Sequence, residues 1–485
     1  MAPIKSVAII GAGASGAITA SALAAEQYFD RIRVFERRET AGGTWIYDPD
    51  PGRPFKFSPG NLPPDVDAPS QIPSSLPISI PHLEKERYEK TPIYESLTTN
   101  VPDIAMSYSD LPFAYGPFVP HWVPKQYIEN YFSSHRTDRY LVTNTTVEEV
   151  VKLKDDHADY SPGWRLTLRR FNDVTQLDEW WQEDFDAVVL ANGHYSVPYV
   201  PHVTGLEGYM TKYPGRVMHS KQFRSAPDFK QKRVIIIGNS ASGQDLTTAL
   251  VREAALPLWQ SRRSPGRWDG DNPPPGVEWK PIIKEYLPSG DIIFVDGTVI
   301  KSDEVDKIIY CTGYKPSFPF WNAQRNGGQI YDYGESRLVG TYIHTFFRDH
   351  PTLAIIGLPR VLTFRSMEYQ AIAVARVWSG RSSLPSTEEQ ISWEQNRDVL
   401  TKRERRKFHD ITWDNGETLE YLQAFFNIAG LPTLAGAGRY PPVLDAETRW
   451  AIQNIKKYPE PGRKADEDGY VIVGSNEVKD SLHFI

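Results

Sequence analysis

The sequence has one cysteine, Cys311, among its 485 residues. A single cysteine excludes an internal disulfide bond, a Cys-x-x-Cys redox pair and a metal site built from several cysteines. The 11 histidines show no ligand spacing, so we expect no bound metal. Cys311 lies in a predicted buried strand, where we expect a small core residue rather than a nucleophile. This cysteine usage is typical of an intracellular protein.

Long apolar runs and a strong excess of one charge are also missing. No segment approaches the roughly 18 consecutive apolar residues of a membrane span, and the run at residues 7–10 is too short for a signal peptide. The 54 basic and 61 acidic residues give a net charge of −7, which argues against a general nucleic-acid or membrane-surface binder. We therefore expect a cytoplasmic protein that binds neither nucleic acid nor a membrane.

What the sequence does contain is glycine at two strand-to-helix turns. The first turn, Gly11-x-Gly13-x-x-Gly16, follows a predicted strand at residues 7–10 and opens a predicted helix. Such a turn brings backbone N–H groups and a helix N-terminus onto a pyrophosphate. Glu36 ends the next predicted strand, 36 − 16 = 20 residues past the last glycine, where an acid hydrogen-bonds a ribose hydroxyl. The combination predicts a dinucleotide site.

The second turn departs from this pattern at its middle glycine. It runs Gly238-Asn-Ser240-Ala-Ser242-Gly243 and follows a predicted strand at residues 234–237. Serine at position 240 is still small enough to allow close approach of a phosphate, and its hydroxyl can donate a hydrogen bond. We expect a second dinucleotide site here.

Arginine replaces the acid beyond the second turn. Arg262 lies 262 − 243 = 19 residues past the last glycine, and Arg263 follows it. A guanidinium at this place suits the 2′-phosphate of NADP rather than the ribose of NAD. The alternative is that the two arginines are a solvated pair, with Lys221 or Arg224 as the phosphate ligand.

Two dinucleotide sites indicate a flavoprotein that takes electrons from NADPH. At roughly 100–200 residues per domain, 485 residues have room for both sites in separate domains. Flavin-dependent disulfide reductases share this organisation but need a redox-active cysteine pair, which Cys311 alone excludes. The acceptor of the electrons must therefore be something other than a disulfide.

The residues before the second turn resemble a known fingerprint. Tyr213-x-Gly215-x-x-x-His219-x-x-x-Phe223 is similar to that of the flavin-containing monooxygenases, class B flavoprotein monooxygenases of the short soluble type. Tyr213 departs conservatively from the family's phenylalanine. The related Baeyer–Villiger enzymes end the fingerprint in tryptophan, so Phe223 argues against that subgroup.

Further segments match the family in order from residue 7 to about residue 385. They are Gly42-Gly43-Thr44-Trp45, Tyr94-x-Ser96-Leu97-x-Thr99-Asn100-x-Pro102, Asn192-Gly193-His194-Tyr195 and Cys311-Thr-Gly-Tyr314. The stretch at residues 49–92 and the tail after residue 385 match nothing that we can interpret.

The resemblance implies FAD and NADPH as cofactors and assigns residues to each. For FAD the residues are Gly11, Gly13, Ser15, Gly16, Glu36, Arg37, Gly43, Thr44, Trp45, Asn100, Val147 and Gln370. For NADP they are His219, Gly238, Ser240, Ser242, Gly243, Arg262 and Arg263. Asn100 is the implied catalytic residue, whose amide would hold the nicotinamide or the flavin–oxygen adduct; by itself it is also compatible with an ordinary turn residue. His219 is either an acid–base or, as we prefer, a structural residue near NADP.

The expected fold is α/β, with two Rossmann-like domains and the NADPH domain inserted into the FAD domain. The expected boundaries are 1–207 for the first part of the FAD domain, 208–319 for the NADPH domain and 320–485 for the rest. The implied activity is NADPH- and O2-dependent oxygenation of a soft nitrogen or sulfur centre through a C4a-hydroperoxyflavin. Alternatives are Baeyer–Villiger oxidation, hydroxylation of a primary amine, or an uncoupled NADPH oxidase. The partners would be a small molecule and O2, with a homodimer as the candidate assembly.

Three further segments of the C-terminal part carry expectations. Residues 367–378 predict one long helix. Residues 393–409 predict a charged, exposed helix that includes the basic run at 402–407. Gly436-Ala-Gly438 is followed by two prolines, which predicts a loop rather than a third nucleotide site.

Overall fold

A computed structural model describes residues 3–52, 59–82, 88–153, 163–266, 269–359, 363–412, 416–430, 436–457 and 471–472. Within these residues the strands, in chain order, are Ser6–Ile10 (β1), Arg31–Phe35 (β2), Ile78–Pro81 (β3), Leu141–Val142 (β4), Thr145–Lys152 (β5), Trp164–Asn172 (β6), Leu177–Phe185 (β7), Ala187–Leu190 (β8), Val197–Pro198 (β9), Val217–His219 (β10), Arg233–Ile237 (β11), Ala255–Ser261 (β12), Val277–Lys280 (β13), Ile283–Tyr286 (β14), Ile292–Phe294 (β15), Val299–Ile300 (β16), Lys307–Tyr310 (β17), Tyr314–Lys315 (β18), Tyr331–Asp332 (β19), Arg337–Leu338 (β20), Thr341–Tyr342 (β21), Phe346–Phe347 (β22), Leu353–Ile355 (β23), Ile455–Lys456 (β24) and Val471–Ile472 (β25).

The helices of the same residues connect and cover these strands. They are Ala14–Ala25 (α1), Pro63–Val66 (α2), Asp103–Met106 (α3), Trp122–Ser134 (α4), Leu206–Lys212 (α5), Ala241–Leu250 (α6), Ala323–Asn326 (α7), Thr363–Trp378 (α8), Thr387–Arg403 (α9), Glu417–Ala429 (α10) and Ala446–Asn454 (α11). None of the helices in the described ranges combines the length and the apolar character that crossing a membrane requires.

The first sheet is built around a buried parallel core. Its strand order is β21-β22-β23-β8-β1-β2-β4, and β1 pairs in parallel with both β2 and β8. The first ten residues of α1 are all buried. Small side chains such as Ala17 and Ala20 let this helix pack closely between the sheet and α8, which joins it in the largest apolar cluster. This packing explains why α1 is rich in alanine rather than amphipathic.

The second sheet is parallel throughout and lies between strands of the first in the sequence. Its order is β10-β17-β11-β12-β13. All five strands fall between residues 217 and 310, after β8 and before β21 of the first sheet. The second domain is therefore inserted into the first, as predicted. The boundaries at residues 207 and 319 stay a prediction.

An antiparallel sheet of four strands, in the order β3-β7-β6-β5, belongs to the first domain. Its core side chains Trp164 and Trp180 are fully buried. The indole of Trp164 donates to Thr352 over 2.9 Å, next to β23 of the first sheet. This sheet holds Val147 of β5 against the first sheet, in the same apolar cluster as Phe35.

Candidate functional site

The first glycine turn is shaped by two close backbone contacts. Gly11 has φ of +108°, and a Cβ there would lie 2.5 Å from the carbonyl oxygen of Ala191. A Cβ on Gly16 would lie 2.0 Å from the carbonyl oxygen of Gly11. Both positions therefore require glycine, the first for its backbone angle and the second for helix-to-strand packing. Gly13 differs, because its Cβ would have no neighbour nearer than the Cα of Gly43 at 3.5 Å.

The second glycine turn repeats this construction. Gly238 has φ of +113°, and its Cβ would lie 2.7 Å from the carbonyl oxygen of Cys311. A Cβ on Gly243 would lie 2.2 Å from the carbonyl oxygen of Gly238. Gly16 and Gly243 thus each pack against the backbone of their own turn, and their contact with a cofactor stays a prediction. Burial raises the pKa of the Cys311 thiol to about 12, so this side chain stays protonated in the core.

A cavity of about 270 Å³ opens at the first turn. Nine of the residues predicted to bind FAD line it, namely Gly11, Gly13, Ser15, Glu36, Arg37, Gly43, Thr44, Trp45 and Val147. These residues come from the turn, the end of β2, the short 3-10 helix Gly43–Trp45 and strand β5. The carboxyl end of a parallel sheet is where α/β folds place their ligands, and this cavity lies there.

Glu36 occupies the polar part of this cavity. Its carboxylate is buried and accepts hydrogen bonds from the backbone N–H groups of Ala12 at 2.8 Å and Arg38 at 3.0 Å. These bonds fix the carboxylate against the glycine turn. Each oxygen retains a further lone pair for a ribose hydroxyl, which is the predicted role.

A second pair of glycines narrows the middle of the cavity. Gly43 has φ of +54°, and its Cβ would lie 2.8 Å from the Cα of Gly13. The residues that line the cavity also include the apolar side chains of Trp45, Phe364 and Met367. The cavity thus offers a carboxylate, a turn of backbone N–H groups without side chains, and aromatic side chains. These three parts fit the ribose, the pyrophosphate and the ring system of FAD.

Gln370 is fully buried behind the cavity and does not line it. Its side-chain oxygen accepts from the N–H of Gly357 at 3.0 Å, and its nitrogen donates to Thr345 at 2.7 Å. Gly357 does line the cavity, and a Cβ on it would lie 2.4 Å from the hydroxyl of Ser15. One lone pair and one N–H of the amide thus hold Gly357 close to the first turn, and contact between Gln370 and the flavin stays a prediction.

Asn100 is exposed and does not line this cavity. The residue before it, Thr99, is held by a backbone hydrogen bond: its N–H donates to the carbonyl oxygen of Val119 at 2.8 Å. The hydroxyl of Thr99 accepts in turn from the N–H of Val119 at 3.0 Å. The side chain of Asn100 is therefore presented from a fixed loop toward solvent, and its role toward a bound cofactor stays a prediction.

His219 is completely buried at the end of β10. Its Nδ1 accepts from the N–H of Lys221 at 3.1 Å, so its Nε2 carries the proton and donates to the carbonyl of Gly313 at 3.1 Å. Burial lowers the pKa of His219 to about 3, and the ring is neutral at ordinary pH. These two bonds join β10 to the loop after β17, which fits the structural role that we prefer for His219. Its place near NADP stays a prediction.

Lys221 and Arg224 are wrong as alternative ligands of the 2′-phosphate, because both are buried and bonded to backbone carbonyls. The ammonium of Lys221 donates to the carbonyl of Tyr88 at 2.9 Å. The guanidinium of Arg224 donates to Thr91 at 3.2 Å and to Asp48 at 2.5 Å. These residues attach the fingerprint to the wall segment (residues 88–92), which lines the cavity.

Arg262 lies beside the second glycine turn. Its guanidinium stacks on Trp279, 3.3 Å from the ring centre, and pairs with Asp269 at 2.8 Å. The same Asp269 oxygen accepts from Asn239 of the turn at 2.7 Å. Arg263 is exposed and makes no hydrogen bond or ion pair with the described residues. Ser240, also exposed, is the N-cap residue of α6, and Ser242 lies in its first turn.

We expect Arg262→Ala to weaken NADPH binding about ten- to a hundredfold and to leave NADH almost unaffected. A charge-assisted contact to the 2′-phosphate is worth roughly 1.5–3 kcal/mol, and its loss also leaves Asp269 facing the phosphate. The measurement is KM for each nucleotide. Arg252→Ala, an exposed arginine of the same domain, is the matched control. An unchanged preference for NADPH would assign the phosphate to Arg263 instead, which Arg263→Ala tests directly.

Several residues of the cavity were not predicted from the sequence. The wall segment, Lys315, Ser317 and the two α8 residues Phe364 and Met367 all line it. The wall segment belongs to the proline-rich stretch that no motif explains. The one sequence signal that could have placed this segment at the cavity is its position next to the family motif that begins at Tyr94. Among the described residues no group of three potential metal ligands comes together.

Comparison with known proteins agrees with this geometry. The family model "Flavin-binding monooxygenase-like" matches residues 82–268 and 276–435, and the model "NAD(P)-binding Rossmann-like domain" matches residues 9–68. The chain is 29% identical to "Flavin-containing monooxygenase iboF" of Amanita muscaria, over 86% of each chain. It is 31% identical to "Flavin-containing monooxygenase FMO GS-OX3" of Arabidopsis thaliana, over 82% of this chain and 79% of the relative.

Two solved structures share the fold. The S-allyl-L-cysteine S-oxygenase of Allium sativum superposes with a TM-score of 0.69 at 27% identity, covering 93% of this chain and 91% of the other. Closed cyclohexanone monooxygenase superposes with a TM-score of 0.58 at 14% identity, covering 88% and 97%. At that lower identity the likeness concerns the fold alone. The family model and the NAD(P)-binding model support FAD and NADPH as the cofactors. That FAD lies at the first turn and NADPH at the second stays a prediction.

Proposed function

Because the chain belongs to the flavin-binding monooxygenase-like family, we propose that it uses NADPH and O2 to oxygenate a soft sulfur or nitrogen centre of a small molecule. The observation that carries this proposal is the pair of glycine turns with the same construction. One opens into the cavity that fits FAD, and the other has Arg262 beside it. The likeness to an S-oxygenase supports sulfur as one acceptor.

The redox chemistry, which is acceptance of a hydride from NADPH and activation of O2, would be supplied by bound FAD. The chain must hold the two nucleotides and keep water away from the reacting ring. Trp45, Phe364 and Met367 supply the apolar wall for this purpose. Lys221 and Arg224 hold the wall segment in place.

The histidine of the fingerprint is buried with both ring nitrogens hydrogen-bonded to backbone groups, so it is not placed to act as an acid or base on a substrate. The lone pairs of sulfur and nitrogen are nucleophilic without a base, so these substrates suit such a site. Phe223, the last residue of the fingerprint, also favours sulfur and nitrogen substrates over ketones. Phe223 is fully buried between Tyr94 and Phe229, each ring centre 5.4 Å away, in the place where Baeyer–Villiger enzymes have tryptophan.

The test supplies the FAD-loaded protein with NADPH and a panel of thioethers, tertiary amines, primary amines and cyclic ketones. We expect a sulfoxide or an N-oxide in nearly equal amount to the NADPH consumed, with its new oxygen derived from labelled O2. A lactone from a cyclic ketone would instead make it a Baeyer–Villiger enzyme. Hydrogen peroxide equal to the NADPH consumed, with every compound, would make it an NADPH oxidase.

The homodimer and the cytoplasmic location stay predictions. Sedimentation of the purified protein and imaging of the tagged chain in cells would test them.

A further inference from the structure

Three distant parts of the chain meet at Asp245 on helix α6. One carboxylate oxygen accepts a short hydrogen bond from the hydroxyl of Tyr94. The other accepts from the ammonium of Lys457 at 3.2 Å. Asp245 lies three residues after Ser242, one helical turn from the end of α6 that faces the predicted pyrophosphate. It thus connects the NADPH domain to two segments of the FAD domain.

Tyr94 begins the Asn100 segment (residues 94–100). Its ring is buried and packs edge-on against Phe223 of the fingerprint. Burial, followed by the charge of Asp245, raises the pKa of Tyr94 well above its usual value, so the phenol remains a donor. The next residue, Glu95, donates its N–H to the carbonyl of Arg224 at 2.9 Å. The start of the segment is therefore attached to the NADPH domain and its linker.

Lys457 attaches the other end of the segment to the same carboxylate. Its ammonium also donates to the carbonyl of Thr98 at 3.1 Å, two residues before Asn100. Thr98 also forms an isolated antiparallel β-bridge with Pro120. Both ends of the Asn100 segment consequently lead to Asp245, one end directly and the other through Lys457.

We infer that Asp245 is a positioning residue that sets Asn100 relative to the N-terminal end of α6, and so relative to the nicotinamide of bound NADPH. This inference rests on the proposed role of Asn100. Asp245 touches neither reacting group itself. Its carboxylate is the shared acceptor that keeps the Asn100 segment and the NADPH helix in one arrangement.

The test compares Asp245→Ala with Asp245→Asn in the FAD-loaded, full-length protein. Asparagine keeps an acceptor oxygen for the Tyr94 hydroxyl, whereas alanine removes both contacts. In the alanine variant we expect faster amide hydrogen exchange in the peptide covering residues 94–102 and weaker NADP⁺ binding by calorimetry. We also expect the anaerobic rate of flavin reduction at saturating NADPH to fall about tenfold, because misplacement of reacting groups is costly. Asparagine should restore the part of each loss that the Tyr94 contact carries, but not the part carried by Lys457, because its amide nitrogen cannot accept from an ammonium.

Single substitutions separate the contact of Asp245 with Tyr94 from its contact with Lys457. Tyr94→Phe and Lys457→Met should each reproduce part of the effect, and Tyr94→Phe should add little to Asp245→Ala because both remove the same contact. If Asp245→Ala fails to fold, these two variants decide the matter by the same readouts. Unchanged exchange and an unchanged reduction rate would overturn the inference. So would equal, additive losses from all variants without rescue by asparagine.

The readouts also keep this inference apart from the proposed function. Amide exchange, NADP⁺ binding and anaerobic reduction need no oxygenated product. A wild-type protein that makes only peroxide would overturn the proposed function and leave these three measurements intact. A wild-type protein that oxygenates thioethers while Asp245→Ala behaves normally would overturn the positioning role alone.

Discussion

Gly13→Ala is expected to purify without FAD, although its apoprotein should unfold at the same denaturant concentration as the wild type. Gly13 has φ of −79°, which alanine adopts without strain, and the new Cβ would find only ordinary contacts. The methyl group would stand at the cavity wall beside Gly43, where the pyrophosphate must approach the backbone. The methyl group would push the pyrophosphate away from the backbone N–H groups of the turn. Loss of one charge-assisted hydrogen bond costs roughly 1.5–3 kcal/mol, and the steric clash adds to it, so FAD binding should weaken by on the order of a hundredfold.

Neighbouring glycines provide the comparison. Gly11→Ala and Gly16→Ala should destabilise the fold itself, since each Cβ would lie within 2.5 Å of a backbone carbonyl oxygen. Gly208→Ala, at an exposed position of helix α5 with nothing within 4 Å, should leave FAD content unchanged and should raise stability by about 0.4–1 kcal/mol. The measurements are flavin absorbance per protein and denaturant unfolding of each apoprotein. A Gly13→Ala protein that stays fully yellow would place the pyrophosphate elsewhere.

The glycine turns could be predicted from the sequence because their geometry is local. The strands at residues 7–10 and 234–237 form as expected, within β1 and β11, and each is followed by its turn and helix. The φ values above +100° at Gly11 and Gly238 and the close backbone approach at Gly16 and Gly243 favour glycine strongly, so the residue type itself indicates the geometry. The helix predicted at residues 367–378 is likewise confirmed within α8. The loop predicted at Gly436 is also confirmed.

The helix predicted at residues 393–409 is confirmed only in part: residues 393–403 are helical and most of the basic run at 402–407 is exposed, but residues 404–409 lie outside the helix. Helix α9 runs from Thr387 to Arg403, and a local signal for its start was present: Ser386 and Glu389 form a capping box. Arg397, predicted to be solvated, is buried and pairs with Glu417. Its partner lies in α10, twenty residues away, which charge patterning along one helix does not reveal.

The hydrogen-bond partners of two candidate site residues could not be predicted from the sequence for the same reason. The resemblance identified His219 and Gln370 as candidate cofactor-binding residues, with a structural role preferred for His219, but it gave no partner for either. Their partners, Gly313 and Gly357, lie in other segments and are brought close only by the folded sheets. Whether a buried polar side chain faces a ligand or the backbone depends on such long-range contacts, because burial requires that it be hydrogen-bonded to whichever group is near.

Asn100→Ala should retain FAD and its stability but lose at least about tenfold in the rate of oxygenation. Asn100 is exposed, and exposed substitutions away from special backbone positions usually change stability by less than about 0.5 kcal/mol. One lost amide contact costs roughly 0.5–1.5 kcal/mol, and lost orientation of the reacting groups adds to it. NADPH should then be spent increasingly on hydrogen peroxide. The measurement is the ratio of oxygenated product to NADPH consumed, in variant and wild type.

Asn396→Ala provides the matched control for this prediction. Asn396 is also an exposed asparagine, but it lies on α9, away from both glycine turns, so its loss should leave the ratio unchanged. The comparison separates the chemistry of the amide from the general effect of losing an exposed polar group. Because the Asn100 segment is held by its backbone and by Tyr94, truncating Asn100 should not move the loop that carries it. A fall in the ratio would therefore report the amide itself, whereas an unchanged ratio at an unchanged rate would make Asn100 an ordinary turn residue.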